Sequence, residues 1–541
     1  MYFLNFLSLI LLLVVKSQCV NINGTDYRID YVSENGTSTK IIYKNDSWVA
    51  KSVYNYTYLT IGWDSLDLET SPDAEDEEQA FLAGYLEGTE THLAIYDHYN
   101  NILKSACDNE TELCEQVNRF LDSNTEWVKE MVAKHAASDV YWRQVQLFYT
   151  QLDGITTGYN SITKDEEKLS LRDFMWMNFD WDIRDLKSAL KKESDRALKG
   201  EGRCSALIKL LRSKSDLIIA HNTWTGYETM LRIMKRYTLP YKQVAGTAMS
   251  FPSYPGVMLS MDDLYIINSG LVVQETTNDN NNASLWSYIQ PTGQVMEVVR
   301  LTVANRLASG GRSWTKIFSQ YNSGTFNNQW MIVDMKKFSP GSVKPELLWV
   351  LEQMPGFIRR EDQTDVLTSQ SYWASYNIPF YPDVYNMSGT PALADKYGDY
   401  FTHDKCPRAL LFKRDHEKVL NVQTMIQLMR SNDFQNDPLS HCNCSPPYNA
   451  YFALAARGDL NLANGTYPFD ALGHRSFGAT DAKVTNYRLS QNLSMWAVSG
   501  PTTGSQLPPF QWSTSDFNHI LSHRGHPDLF DFQPVLFSWS S

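Results

Sequence analysis

The chain has 541 residues, of which 43% are hydrophobic and 13% aromatic, and a formal charge of -13. That composition supports a large buried core and excludes a largely disordered chain. An acidic surface repels phosphate backbones, so nucleic acid is excluded as a natural partner.

In chain order, Phe3 to Val15 is an almost unbroken apolar run followed by Lys16, Ser17, Gln18 and Cys19. It is shorter than the ~20 apolar residues of a membrane span. Its small-residue border fits a cleavable signal peptide over residues 1–19. No later stretch is apolar enough to span, so a secreted or lysosomal protein without a transmembrane segment is expected. Ten Asn-x-Ser/Thr acceptors agree with that route: Asn23, Asn35, Asn45, Asn55, Asn109, Asn282, Asn386, Asn443, Asn464 and Asn492. The first four fall in a polar stretch expected at the surface.

Residues 77–152 carry apolar side chains at helical spacing (Phe81, Leu82, Tyr85, Leu86, Leu93, Ile95, Tyr96), and predict helices. Within them Cys107 and Cys114 flank a polar turn, and an oxidising compartment favours a local disulfide there. Residues 160–203 are highly charged and end in Gly200-Glu201-Gly202-Arg203, the pattern of an exposed helix followed by a flexible linker.

The character changes at Cys204. Residues 204–212 and 216–221 read as strands about a Ser213-Lys214-Ser215 turn. Further strands are expected near 229–237, 243–251, 264–276, 329–335 and 346–353, with helices at 296–308 and 415–430. This order predicts sheets covered by helices. Cys442 and Cys444 stand one residue apart. A bridge between them would be strained, and spacing leaves pairing with Cys406 open. His441-Cys442-Asn443-Cys444 has no second ligand cluster nearby, so no metal site is expected there.

A Gly-x-Ser-x-Gly elbow, a His-Glu-x-x-His pair and a phosphate loop are all missing from the sequence. One arrangement stands out instead. A hairpin centred on Ser213-Lys214 sets Cys204 opposite Thr223 and Trp224, close to His221 and Asn222. If the linker is cut at Arg203-Cys204, Cys204 gains a free α-amine of pKa near ~8, able to take the thiol proton. Asn222 and the Asn327-Asn328-Gln329 run are candidate donors to an oxyanion. The competing reading of each residue is structural: a buried small thiol, a strand-end imidazole, an ordinary Asn-Asn turn and a core tryptophan.

Several strings resemble the phospholipase B-like proteins. They are Gly202-Arg203-Cys204-Ser205-Ala206-Leu207-Ile208, then Asp216 to Trp224, Phe251-Pro252-Ser253-Tyr254-Pro255-Gly256, and Ser269-Gly270-Leu271 with Glu275-Thr276-Thr277. Asn305-Arg306-Leu307-Ala308, Tyr376-Asn377-Ile378-Pro379-Phe380 and Ala455 to Leu460 extend the match, and Tyr321 to Asp334 is its most specific string.

The resemblance implies an α+β chain with the N-terminal-nucleophile hydrolase fold, an αββα sandwich of two stacked antiparallel sheets between helical layers. It implies cleavage ahead of Cys204. Residues 20–203 and 204–541 would then stay associated as one composite domain. Cys204 becomes the nucleophile, with His221, Asn222 and Asn328 as further catalytic candidates. Trp224, Thr276, Asn327 and Arg306 become candidate substrate contacts. The implied activity is hydrolysis of fatty acyl esters of glycerophospholipids without a cofactor or metal. The rival readings are an amidase of the same fold and a non-catalytic lipid- or glycan-binding glycoprotein.

Overall fold

The computed structural model describes residues 16–200, 203–261, 264–504 and 507–539. The apolar run Phe3–Val15 and the linker residues Glu201 and Gly202 lie outside them, as does the side chain of Arg203. Among the described residues no helix is long and apolar enough to cross a membrane.

Two large sheets organise the chain. One has twelve strands, antiparallel except where Asp64–Thr70 runs parallel to Ile233–Thr238. Five of its strands precede residue 203 and seven follow it, so both halves of the chain build one sheet. The other sheet has seven strands. Its path runs Tyr372–Ser375, Arg203–Leu210, Leu217–Gly226, Asp481–Asn486, Met495–Ser499 and Val535–Phe537.

The sheets face each other across an apolar layer. Ala206, Ile208, Leu210, Leu217 and Ile219 of the smaller sheet pack there on Leu264, Ile266, Val272, Met331, Val333 and Val350 of the larger. The outer face of the large sheet is covered by the helices Asp76–Glu90, Val140–Ile162, Glu297–Leu307 and Gly311–Phe318. Pro407–Asp415 and Val422–Met429 cover Leu207, Ile218, Ala220 and Val484 on the outer face of the small one. The protein is therefore α+β, built on large, mainly antiparallel sheets.

The expected hairpin forms. Ser213 and Lys214 both take positive φ (56° and 54°), and Cys204 pairs with Thr223. The strands expected near 229–237, 264–276, 329–335 and 346–353 appear at Ile233–Thr238, Leu264–Ile267, Leu271–Thr277, Asn328–Asp334 and Leu348–Met354.

Two expectations change. The sequon-rich stretch before residue 60 is not merely a polar surface segment. It forms the strands Lys16–Ile22, Thr25–Glu34, Thr37–Lys44 and Ser47–Asn55, with Asn23, Asn35 and Asn45 exposed at hairpin turns. The helical part of the charged region 160–203 is not simply exposed. Leu171–Asn178 and Asp180–Lys191 bury Phe174, Trp181, Ile183 and Leu186, and Arg196–Lys199 buries Arg196 and Ala197. Charges on the remaining face mask the apolar stripe in a composition-based reading. The disulfides are Cys107–Cys114 and Cys442–Cys444, while Cys406 is buried as a thiol.

The helices Asp76–Glu90 and Val140–Ile162 cross closely because each carries two glycines four residues apart. A Cβ on Gly84 would sit 2.0 Å from the Gln151 carbonyl oxygen, and one on Gly154 2.1 Å from that of Phe81. Gly88 and Gly158 meet the carbonyls of Ile155 and Tyr85 at 2.3 and 2.2 Å. The contacts are with backbone, which cannot rotate away. Gly154→Ala should therefore destabilise the fold by about 1–3 kcal/mol through overpacking. In an open helix the same change would stabilise by about 1 kcal/mol. Chemical denaturation reads the sign directly.

Candidate active site

Strand alternation decides which residues share the face of Cys204. Ala206, Ile208 and Leu210 point between the sheets, so Cys204 points there too, at the end of its strand. On the paired strand Ile219 faces the same way, and so do His221 and Thr223. Asn222 and Trp224 point to the opposite face. The Asn222 amide donates to the carbonyl of Leu454 (3.2 Å) and to that of Met429 (2.5 Å) in the outer layer. Trp224 packs beneath the Arg408 guanidinium, 4.4 Å from the ring centre. Arg408 in turn donates to the Cys204 carbonyl and to that of Tyr376 (2.6 Å). Trp224 thus backs the cysteine from behind rather than lining its open side.

Cys204 is 5% exposed and is not disulfide-bonded. Its thiol donates to Glu275 Oε1 at 3.7 Å, and its backbone N–H donates to Asn377 Oδ1 at 3.0 Å. Asn377 holds a left-handed backbone (φ 67°), a conformation that asparagine tolerates better than most residues. Its own amide donates to the Thr277 carbonyl at 2.8 Å, so its oxygen is aimed by a second bond. The His221 ring accompanies this pair. Its Nε2 lies 2.9 Å from the Glu275 carbonyl oxygen, which can only accept, so Nε2 carries the proton and Nδ1 the lone pair. Burial, together with the positive charge of Lys483, holds this imidazole well below its ordinary 6.5, and the ring is neutral.

Beneath Thr223 lies a buried charge cluster. Asp481 accepts from the Thr223 N–H (3.0 Å), from Lys483 (2.8 Å) and from Arg232 (2.7 Å). Lys483 also donates to Thr223 Oγ1 at 2.6 Å. Burial alone would raise the Asp481 carboxyl, but Lys483 and Arg232 outweigh it and hold it at about 2. Burial lowers the Lys483 ammonium to about 8 against the pull of Asp481.

The remaining candidates are spread around this centre. Thr276 Oγ1 pairs with Ser375 Oγ at 2.5 Å, joining the two sheets. Asn328 opens its strand opposite Thr277, and its buried side-chain amide makes no hydrogen bond. Asn327 donates to Asp185 (3.1 Å) and to the Gly324 carbonyl (2.8 Å). Asp185 is ion-paired with Arg196 of the short helix ahead of the linker. Arg306 donates to Gln151 (3.0 Å) and stacks on Tyr241, on the helix-covered side of the large sheet. Glu275 and Asn377 are contacts of Cys204 that sequence reasoning missed. Both stand in strings that carried the resemblance, but neither is near Cys204 in sequence.

A cavity of about 20 Å³ adjoins the site, lined by Asp279, Asn281, Asn377, Tyr376, Arg408 and Ala197 among others. It is large enough for about one water molecule. Ala197 closes one wall, its N–H held by Asn281 Oδ1 at 3.1 Å.

A family model described as phospholipase B matches residues 50–537. A human protein named "Putative phospholipase B-like 2" is 46% identical over 495 residues, covering 88% of this chain and 84% of that protein. "Putative phospholipase B-like 1" of Caenorhabditis elegans is 39% identical over 489 residues, 88% of this chain and 85% of its own. "Phospholipase B-like protein B" of Dictyostelium discoideum is 38% identical over 529 residues, 95% and 89% of the two chains.

The charge cluster yields a stability test. Asp481→Asn leaves Lys483 and Arg232 buried around a neutral amide, and breaking a buried ion pair in this way costs about 3–5 kcal/mol. Urea unfolding should register that loss, and adding Lys483→Met should recover part of it. The depressed carboxyl fixes the acid limb. The stabilisation from Asp481 is complete above its ordinary 3.8 and drains away as pH falls towards about 2. The Asp481→Asn protein should lack that component.

Proposed function

The chain belongs to the phospholipase B family, and on that premise we propose that it is an acyl hydrolase activated by cleavage ahead of Cys204, with Cys204 as its nucleophile. The observation that carries this reading is the setting of one residue. Cys204 is the second residue of the strand Arg203–Leu210 and points into the space between the sheets, its nitrogen on Asn377 and its thiol on Glu275. In an N-terminal-nucleophile fold, which the two facing sheets between helices suit, that is where the nucleophile stands.

Under this reading the chemistry has two stages. In the intact chain the thiol attacks the Arg203 carbonyl carbon. The peptide nitrogen of Cys204 leaves as an amine, and water hydrolyses the resulting thioester. The new α-amine then stays within reach of Asn377, which oriented the same nitrogen in the intact chain. With a pKa near ~8 it accepts the thiol proton near neutral pH. The thiolate attacks an ester carbonyl of a glycerophospholipid, and the alcohol portion leaves with the proton. Water then releases the fatty acid. Asn328, whose buried amide makes no hydrogen bond, is the candidate to donate to the oxyanion. Thr276 orients the wall beside it. His221 holds Glu275 through its carbonyl, and Trp224 supports Arg408 and hence the Cys204 backbone.

The segment Arg196–Gly200 is the natural plug. Arg196 is ion-paired with Asp185, and Ala197 walls the cavity. An acyl chain has no room while that segment stays in place, so access requires its displacement after cleavage. A leader peptide, glycosylation at the ten acceptors and a secreted or lysosomal location belong to the same reading.

A second reading is favoured by the same cavity. It is small and bordered by Asp279, Asn281, Asn377 and Arg408, which suits a polar amide better than a lipid. An amidase acting on N-acyl bonds would use the same thiol and amine.

N-terminal sequencing of the mature chains should find a fragment beginning at Cys204. Cys204→Ala should remain a single chain and lose phospholipid hydrolysis on the order of 10³-fold or more. Cleaved protein that releases fatty acid from N-acyl amides but not from phospholipids would select the amidase reading. Undiminished phospholipid hydrolysis by Cys204→Ala would refute both.

A further inference from the structure

We propose that Cys204, His221 and Glu275 form a binding site for zinc, and that the bound ion blocks the thiol. One donor atom from each residue lies within 4.8 Å of the other two, and all three residues are buried. Among the described residues no other group of three such donors is this close.

The geometry is near what the ion needs. Zinc bonds sulfur at ~2.3 Å and nitrogen or carboxylate oxygen at ~2.0–2.2 Å, so tetrahedral donors stand roughly 3.3–3.7 Å apart. The Cys204 Sγ to Glu275 Oε1 distance is already 3.7 Å. The imidazole is in the required state. Zinc-binding histidines typically donate their second ring N–H to a carbonyl or carboxylate, which fixes the tautomer. His221 Nε2 donates in this way to the Glu275 carbonyl, and Nδ1 is buried without a hydrogen-bond partner. Thiolate, imidazole and carboxylate together suit a borderline ion over calcium or magnesium, which prefer all-oxygen shells.

Charge also balances. A thiolate and a carboxylate cancel the two charges of the ion, so the occupied site is neutral and avoids the cost of burying net charge. The thiol proton is released to solvent on binding. The nearby cations act against a further positive charge, and each is held by another partner: Lys483 and Arg232 by Asp481, and Arg408 by the Cys204 and Tyr376 carbonyls. Burial pushes the Glu297 carboxyl on the side of Glu275 well above its ordinary value, so it disturbs this balance little.

The site does not require cleavage, since its three donors are side chains. If the chain is cut ahead of Cys204, a clause that rests on the proposed activation, the α-amine adds a fourth donor. Amine and thiolate of one cysteine then close a five-membered chelate, and the processed chain binds more tightly than the intact one.

The test uses the purified full chain, stripped with chelator, its amino termini recorded. Cobalt(II) serves as the visible probe and zinc as the competitor. The expected result is a near-ultraviolet thiolate-to-cobalt charge-transfer band that saturates at one equivalent and is abolished by zinc. Glu275→Gln and His221→Ala, each checked for native circular dichroism, should weaken binding at least ~10-fold. Zinc should also protect Cys204 from alkylation, read by peptide mass spectrometry with Cys406 as the internal control. Absence of the band from native wild-type protein, or its persistence in Cys204→Ser, would overturn the site. A band from a chain that never cleaves would sustain the site and remove only the activation reading. Hydrolysis that continues at full occupancy would overturn the blocking role.

Discussion

The ion pair between Asp481 and Arg232 joins the two sheets beside the place where Cys204, His221 and Glu275 gather. Asp481 opens a strand of the small sheet, and Arg232 immediately precedes the strand Ile233–Thr238 of the large one. The same carboxylate holds the Thr223 N–H, and Thr223 is the residue paired with Cys204. Apolar packing sets the spacing of the sheets, but it is non-directional and tolerates sliding. A buried carboxylate that must satisfy two cations and a peptide N–H tolerates far less. The relative position of Cys204 on one sheet and Glu275 on the other is therefore set in part by this charge cluster.

That cluster also sets the protonation of its neighbours. Lys483 is the pairing partner of His221 in the sheet, and its positive charge adds to burial in keeping the imidazole neutral. A neutral ring can give one N–H to the Glu275 carbonyl and keep one lone pair. A protonated ring would place a third cation beside Lys483 and Arg232. The arrangement favours a site in which negative charge, whether thiolate or carboxylate, is met by a fixed positive background rather than by mobile solvent.

The hairpin was legible because its turn, its β-branched and apolar run and its length all agree, and the register it implies is the one found. The face of each residue was legible too, but only with the pleat applied: alternation separates His221 from Asn222 and Trp224, which proximity in sequence had grouped together. Glu275 and Asn377 were not legible as partners of Cys204, because 71 and 173 residues separate them from it and only the stacking of sheets brings them near. The early strands were hidden by their composition. Thr25–Glu34 and Thr37–Lys44 bury only some positions and carry sequons in their turns, so they resemble a polar surface stretch. The paired glycines at 84/88 and 154/158 stood plainly in the sequence. Their meaning depends on which helices cross, and that is a tertiary fact.

Under the proposed activation, Asn377 would let one site serve both before and after a cut in the chain. A peptide nitrogen offers a single N–H and no usable lone pair, and Asn377 Oδ1 takes that N–H. An amine at the same place still has a hydrogen for the same oxygen, and gains a lone pair. Because Asn377 Nδ2 is anchored to the Thr277 carbonyl and the Arg408 guanidinium holds the Cys204 carbonyl, the atoms on either side of the new terminus are already restrained. The lone pair would therefore appear beside the thiol rather than sweep through a cone of solvent. Under the proposed activation the base is created in position, and the entropy of placing it has been met by folding rather than at each turnover.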